Sequence, residues 1–443
     1  MVPLVAFYGD DLTGSVDTLS VLTEGGLNTV LFLGTPTAEE RRAAGPLDAV
    51  GIAGAARTMS PAQMEGHLPA VFETLKATGA RLVQYKVCST FDSSPTVGNI
   101  AHAILLARPT FRRGFVPVVV GQPGICRYCC FGNLFGAVTT GGEIYRLDRH
   151  PGMSRHPVTP MDEADLRRVL IRQGLARVGL LDIRHLHSDA APAVFADLLR
   201  EAPDALLFDV VDESDFRAIG ALIGGELESG EPVLGVGSSG LEQALLAGWP
   251  RLIATRRAAP SPPEPDPEVV LIVSGSRSPV AASQVDAARR AGFAIIALEP
   301  KRLVDADTAP AHIAAVAAEA AAHISAGGSV VAHTSLGLDD PRALVDAGGD
   351  ALERLARSCG HLATAVLARV PLRRIGFAGG DTSTFAARAM GVRALGFDFR
   401  LAPGVATCRV RASGALDDMQ IMLKGGQLGQ PDLYARFAAG QPA

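Results

Sequence analysis

Short, mostly apolar runs alternate along this chain with longer amphipathic or alanine-rich stretches, and that alternation constrains the fold more than any other feature. In the first half the runs are Leu4–Phe7, Thr29–Leu33, Leu82–Lys86, Val116–Val120, Leu206–Val210 and Val233–Val236; in the second they are Val269–Val273, Ala294–Leu298, Ser329–His333 and Arg374–Ala378. Runs this short read as strands. Stretches such as Ala311–Ile324 and Leu352–Leu367 read as the helices between them. Strands that alternate with helices build βαβ units and mostly parallel sheets.

One segment interrupts the pattern. Pro260-Ser-Pro-Pro-Glu-Pro-Asp-Pro267 holds five prolines in eight residues, which continue neither a helix nor a central strand. The chain therefore reads as an N-terminal domain over 1–255, a stiff linker over 256–268 and a C-terminal domain over 269–443. Each is expected to be α/β, a mostly parallel sheet flanked by helices. Two α/β domains usually hold ligands at strand carboxyl ends in the cleft between them, so the active site is expected in an interdomain cleft.

Composition removes several classes. Apolar residues make up 48% and charged residues 20%, which excludes a largely disordered chain. The net charge is −5, with no basic block, so a nucleic-acid partner is not expected. No stretch approaches about 18 uninterrupted apolar residues, and the N-terminus lacks a basic leader, so no membrane partner and a cytoplasmic location are expected. Six cysteines are too sparse for a disulfide scaffold. Cys126-Arg-Tyr-Cys-Cys130 is half of a zinc site at most, and His185-Leu-His187 reads as an ordinary strand end. Association into a homo-oligomer stays open.

Polar motifs follow the strands. Phe7-Tyr-Gly-Asp-Asp-Leu-Thr-Gly14 sits between the first strand and the amphipathic stretch Ser15–Leu22. Its paired carboxylates suit a general base or hydroxyl acceptor, or simply a helix N-cap, although one cap does not need two of them. Gln84-Tyr-Lys-Val-Cys-Ser-Thr-Phe-Asp-Ser-Ser94 carries Lys86 and hydroxyls that could hold an anionic polyol, or could form a solvated loop. Gly235-Val-Gly-Ser-Ser-Gly240 could cradle an anion or form a tight turn. In the second half Val273-Ser-Gly-Ser-Arg-Ser278, Phe377-Ala-Gly-Gly-Asp-Thr-Ser-Thr384 and Leu423-Lys-Gly-Gly-Gln-Leu-Gly429 form a set suited to a polyphosphate. No G-x-x-x-x-G-K-[ST], G-x-S-x-G or Asp-x-Asp-x-Thr is present, which removes P-loop, α/β-hydrolase and haloacid-dehalogenase readings.

Taken in order, Gly9–Gly14, Lys86–Ser93, His156-Pro-Val-Thr-Pro-Met161, Ser274-Gly-Ser276, Gly379–Ser383, Ala402-Pro-Gly-Val405 and Leu423–Gly426 resemble the four-carbon acid sugar kinase family from about residue 4 to about residue 435. The resemblance implies an acid sugar bound by the N-terminal domain and ATP, with Mg²⁺, by the C-terminal domain. It implies phosphorylation of the 4-hydroxyl of threonate, erythronate or 3-oxo-tetronate. It places Asp10, Asp11, Thr13, Lys86, Ser89, Thr90, Asp92 and His156 on the substrate side, with Arg127 and Arg155 available for the carboxylate. Ser274, Ser276, Gly379, Gly380, Asp381, Thr382, Ser383, Gly404, Gly425 and Gly426 fall on the nucleotide side. The chain departs from the pattern at Gly9, at Asp381 and across Gly121–Gly136.

Asp10 or Asp11 would deprotonate the acceptor, and Asp11→Asn is expected to abolish turnover while leaving ATP binding intact. Two alternatives stay open on residues alone. An NAD-dependent hydroxy-acid dehydrogenase would need a dinucleotide fingerprint and following acid that are not found in order. A non-catalytic two-lobed sugar-acid-binding protein would leave the second glycine-loop set unused.

Overall fold

The computed structural model describes residues 2–443 apart from 139–140, 157, 262, 338–339, 343, 345–347 and 413. The chain divides into two compact units, Met1–Pro260 and Ser261–Ala443. Between Thr255 and Leu271 the described residues form no helix or strand. The start of this stretch is tied to the first unit by Arg257, whose amide donates to the Gly26 carbonyl and whose guanidinium lies 2.6 Å from Asp48. Its end is tied to the second unit, where Arg374 donates to the Asp266 carbonyl and the Glu268 amide to Ala438. Pro262 of the proline-rich run lies outside the described residues.

The first unit contains β1 (Val5–Gly9), β2 (Thr29–Phe32), β3 (Ala49–Ala53), β4 (Leu82–Lys86), β5 (Pro117–Val119), β6 (Arg127–Cys130), β7 (Asn133–Ala137), β8 (Ile144–Arg146), β9 (Val178–Leu181), β10 (Ala205–Phe208) and β11 (Val233–Gly237). Eight of these form one parallel sheet in the order β2-β3-β1-β4-β11-β5-β10-β9. Strands β1 to β4, β10 and β11 are buried along their whole length, as strands covered by helices on both faces must be. Register sets Gly9 level with both Ala53 and Lys86, so the loops leaving β1, β3 and β4 emerge side by side.

Strands β6, β7 and β8 form a separate antiparallel sheet across the region where the sequence pattern was weakest. Asp209 fastens it to the main sheet, accepting from the amides of Phe131 (2.6 Å) and Gly132 (2.9 Å). The strand ending expected at His185-Leu-His187 is instead a short helix, Ile183–Leu186, capped by Asp182. His187 there pairs with Asp215 at 2.6 Å.

The second unit contains β12 (Leu271–Ser274), β13 (Ala294–Ala297), β14 (Val330–His333), β15 (Arg374–Ala378), β16 (Ala394–Ala402), β17 (Val405–Arg411) and β18 (Gln420–Lys424). Their order is β13-β14-β12-β15-β18-β17-β16, with the first five parallel and β17 antiparallel to both neighbours. The β16–β17 hairpin turns at Gly404, whose φ of +71° is left-handed and favours glycine. One core face packs Ile272, Val331 and Met422 of the sheet against Val285, Leu433, Tyr434 and Phe437.

Candidate active site

The acidic pair lies where β1 hands over to the helix Leu12–Glu24, and its two members have different surroundings. Asp11 is the helix N-cap: its carboxylate accepts from the Gly14 amide (2.8 Å) and the Thr13 hydroxyl (2.9 Å). It also pairs with Arg57 at 2.7 Å. Burial by itself raises its pKa, but Arg57, Lys86, Thr13 and Gly14 together outweigh that and hold it below the usual carboxylate value.

Asp10 is 2% exposed, and its Oδ1 is buried with no hydrogen-bond partner. Its backbone is clamped instead, with its amide donating to the Lys86 carbonyl (2.9 Å) and its carbonyl accepting from the Arg57 amide (3.2 Å). Burial, and then the neighbouring Asp11 charge, push its pKa up to about 7 against the pull of Arg57 and Lys86. The sequence offered capping and chemistry as rival readings of this pair. In the structure Asp11 is the cap and Asp10 is not.

Lys86 ends β4 with 2% exposure, and its ammonium donates to the Val87 carbonyl at 2.9 Å. The loop beyond it is held tightly. Phe91 has a φ of 57°, an uncommon left-handed value for a bulky residue, and Thr90 contacts Cys88 at 3.0 Å. Asp92 lies 3.9 Å from Arg57, so that guanidinium bridges the β1 and β4 loops. Ser89 is half-buried on the same loop. Arg127 lies near enough to feel the charges of Cys88 and Asp92. Its Nη1 is spent on the carbonyls of Cys126 and Ala137, and its buried Nε has no partner.

The remaining substrate candidates stand apart. Arg155 is exposed on a short turn, and His156 is engaged with Thr159, whose amide lies 3.1 Å from its Nδ1. Neither has a described contact with the acidic pair, and Pro157 of that motif lies outside the described residues. Gly237 and Gly240 are explained by packing: a Cβ would stand 1.9 Å from the Val119 carbonyl oxygen and 2.1 Å from that of Gly121. Cys129 faces Asp209, while Cys126 accepts from the Gly141 amide.

Arg57 was missed from sequence. It follows β3, a run written Ala-Val-Gly-Ile-Ala whose small residues do not read as a strand, so nothing marked the next loop as a strand end. Glu242 was also missed. It is fully buried on the helix Gly240–Gly248, both carboxyl oxygens lack partners, and burial raises its pKa to about 8.

In the second unit the three glycine loops converge. A Cβ on Gly275 would lie 2.0 Å from Thr382 Oγ1, and one on Gly426 would lie 2.3 Å from Ser276 Oγ. Ser278 caps the helix Pro279–Arg290 through the Ala281 amide while its hydroxyl donates to the Gly426 carbonyl at 2.6 Å. The Gly379 amide and the Ser383 hydroxyl both donate to the Lys424 carbonyl. Gly380, Asp381, Thr382 and Ser383 form the first turn of the helix Gly380–Ala389. Gly404 is drawn in through Leu428, which its Cβ would meet at 3.4 Å, and Gly425 would meet the same side chain at 3.5 Å. At Gly275 and Gly426 the cradle is thus built from backbone that side chains would block, at the start of two helices.

Residues 5–245 match the sugar-binding N-terminal domain family, and residues 271–434 match the nucleotide-binding C-terminal domain family. The chain is 41% identical to a 3-oxo-isoapionate kinase of Paraburkholderia graminis, covering 99% of this chain and 95% of the relative. It is 33% identical to a 3-oxo-tetronate kinase of Methylobacterium radiotolerans, covering 96% of each. The chain belongs to the four-carbon acid sugar kinase family. Among solved structures, this family member shares its fold with a Salmonella typhimurium LT2 protein described as a tRNA synthase, with a TM-score of 0.77, 22% identity and 98% coverage of each chain. A Haemophilus influenzae protein gives a TM-score of 0.70 at 23% identity. No described helix is long and apolar enough to cross a membrane.

Proposed function

We propose that the chain transfers the γ-phosphoryl group of ATP to a hydroxyl of a four-carbon acid sugar or a closely related 3-oxo acid, with Asp10 as the general base. The observation that carries the assignment of the base is the buried, unpartnered Oδ1 of Asp10 beside an Asp11 already committed to three partners. A carboxylate whose pKa lies about 7 is poised to accept a proton at neutral pH, whereas one held low by an arginine is a weak base. This reading moves the base away from Asp11, whose part in it is to anchor Arg57 and the helix.

Lys86, Thr13, Ser89, Thr90 and Asp92 surround the acceptor in this reading, and Arg57 and the Nε of Arg127 supply cations for its carboxylate. Arg155 and His156 stay candidates from a separate segment. Asp10 takes the hydroxyl proton as the oxygen bonds to the γ-phosphorus, and the bond to the β,γ-bridging oxygen breaks to release ADP. The glycine loops of the second unit suit the polyphosphate, since their amides hold charge without side chains. Mg²⁺ usually arrives on the phosphates and keeps several waters, which fits three glycine loops whose single carboxylate is Asp381 and the lack of a metal-ligand cluster among the described residues. When bound it would neutralise phosphate charge.

The test is ADP release from Mg·ATP with threonate, erythronate, 3-oxo-tetronate and 3-oxo-isoapionate against a control without acceptor. Acceptor-dependent release supports the reading and ranks the acids. Release that ignores every acid, in folded protein, removes the acceptor class.

A further inference from the structure

The carboxyl ends of the second unit's parallel strands carry a polar row on a face that is otherwise apolar. Register sets His333 of β14, Ser274 of β12, Ala378 of β15 and Lys424 of β18 side by side, so their side chains leave the same face of the sheet. Two residues earlier on that face stand Val331, Ile272 and Met422, in the apolar core. Gln284 and Tyr434 come down onto the row from the helices Pro279–Arg290 and Leu433–Ala439. Gln284 donates its amide group to the carbonyls of Leu428, Gly429 and Gln430, and so ties the end of the third glycine loop to the helix Pro279–Arg290.

Lys424 is the anomaly. Its side chain is 0% exposed and its Nζ has no hydrogen-bond partner, while its carbonyl is held by Gly379 and Ser383 of the neighbouring loop. A methionine would fill a similar apolar channel without an unsatisfied donor, and leaving such a group unpaired costs about 1–3 kcal/mol or more. An anion arriving at the glycine loops would offset that cost.

We propose that Lys424 binds the phosphates of the nucleotide from beneath the glycine loops and takes up a proton as it does so. The proposal deepens the reading that a nucleotide occupies these loops and rests on it. The ionisable groups on the lysine's own face are Tyr434 and His333. On the elements around it stand Thr407 of β17, Asp381 and Arg388 of the helix Gly380–Ala389, Arg277 of the first glycine loop, and Asp286, Arg289, Arg290 and Arg436 of the covering helices, and the shift of Lys424 comes from burial. Burial brings the amine down to about 7. A bound polyphosphate restores the ordinary preference for the ammonium, and the proton comes from solvent.

The experiment is calorimetric titration of the full chain with Mg·ADP at pH 8 in buffers of different ionisation enthalpy, with Lys424→Met alongside. The wild type is expected to take up close to one proton, roughly, per nucleotide bound. Its affinity should fall by up to about tenfold per pH unit above neutrality. Lys424→Met should bind about ten- to a hundredfold more weakly, with no proton uptake and a flat pH profile. Binding by the wild type without proton uptake, or equal uptake by Lys424→Met, overturns the proposal and leaves the nucleotide reading standing. Absence of any binding by the wild type overturns both. If circular dichroism shows Lys424→Met unfolded, proton uptake by the wild type decides alone.

Discussion

At the scale of single residues, two adjacent aspartates are driven apart by their neighbours. Asp11 gains a guanidinium, a hydroxyl and an amide; Asp10 gains burial and the charge of Asp11. Asp10→Asn is therefore expected to lower kcat by about 10²–10⁴-fold with nucleotide affinity unchanged, in steady-state and binding measurements. For Asp11→Asn the outcome differs. Asparagine still caps the helix, turnover survives at a reduced level, and the acid limb of the kcat/KM profile moves below pH 7, because a charge that raised the Asp10 pKa is gone. Turnover lost equally in both variants would end the distinction. Arg57 ties Asp11 to Asp92, so Arg57→Gln should raise KM for the acid and lower kcat together, checked by initial rates across acceptor concentration.

Elements show how much the sequence could say. β4 and β15 coincide with the expected Leu82–Lys86 and Arg374–Ala378 because each is a buried apolar run with polar residues after it. β3 escaped because alanine and glycine carry little strand signal, and with it went Arg57. The antiparallel β6–β8 sheet escaped because its half-exposed strands are held by Asp209 from a distant strand end, a contact no local pattern reveals. The glycine loops were legible as loops, while the reason for each glycine was not: Gly240 avoids backbone, and Gly426 avoids Ser276. Gly426→Ala should accordingly weaken nucleotide binding by about tenfold or more in equilibrium titration and leave acid-sugar binding unaltered.

Glu242 makes a second test on its helix. Its folded-state pKa of about 8 exceeds the ordinary value of 4.5, so the folded chain holds a proton that the unfolded chain releases, and stability falls as pH rises between those values. Glu242→Gln should thus melt higher than wild type by roughly 5 °C at pH 8 and nearly level with it at pH 4.5, by calorimetry. A gain that ignores pH would assign the effect to packing instead.

For the whole molecule, the proposed division of labour between sugar and nucleotide rests on two families matched in tandem, at residues 5–245 and 271–434. Composition foresaw two α/β units because proline-rich sequence interrupts one repeating pattern. It could not choose between the aspartates, because the choice depends on Arg57 arriving from a different loop. The most direct test follows the label from γ-³²P-ATP with wild type and Asp10→Asn on the acid that releases most ADP. The account predicts label on the acid sugar with the wild type, and almost none with an Asp10→Asn variant that still binds nucleotide. Label recovered as orthophosphate alone, or an Asp10→Asn variant as fast as wild type, would contradict it.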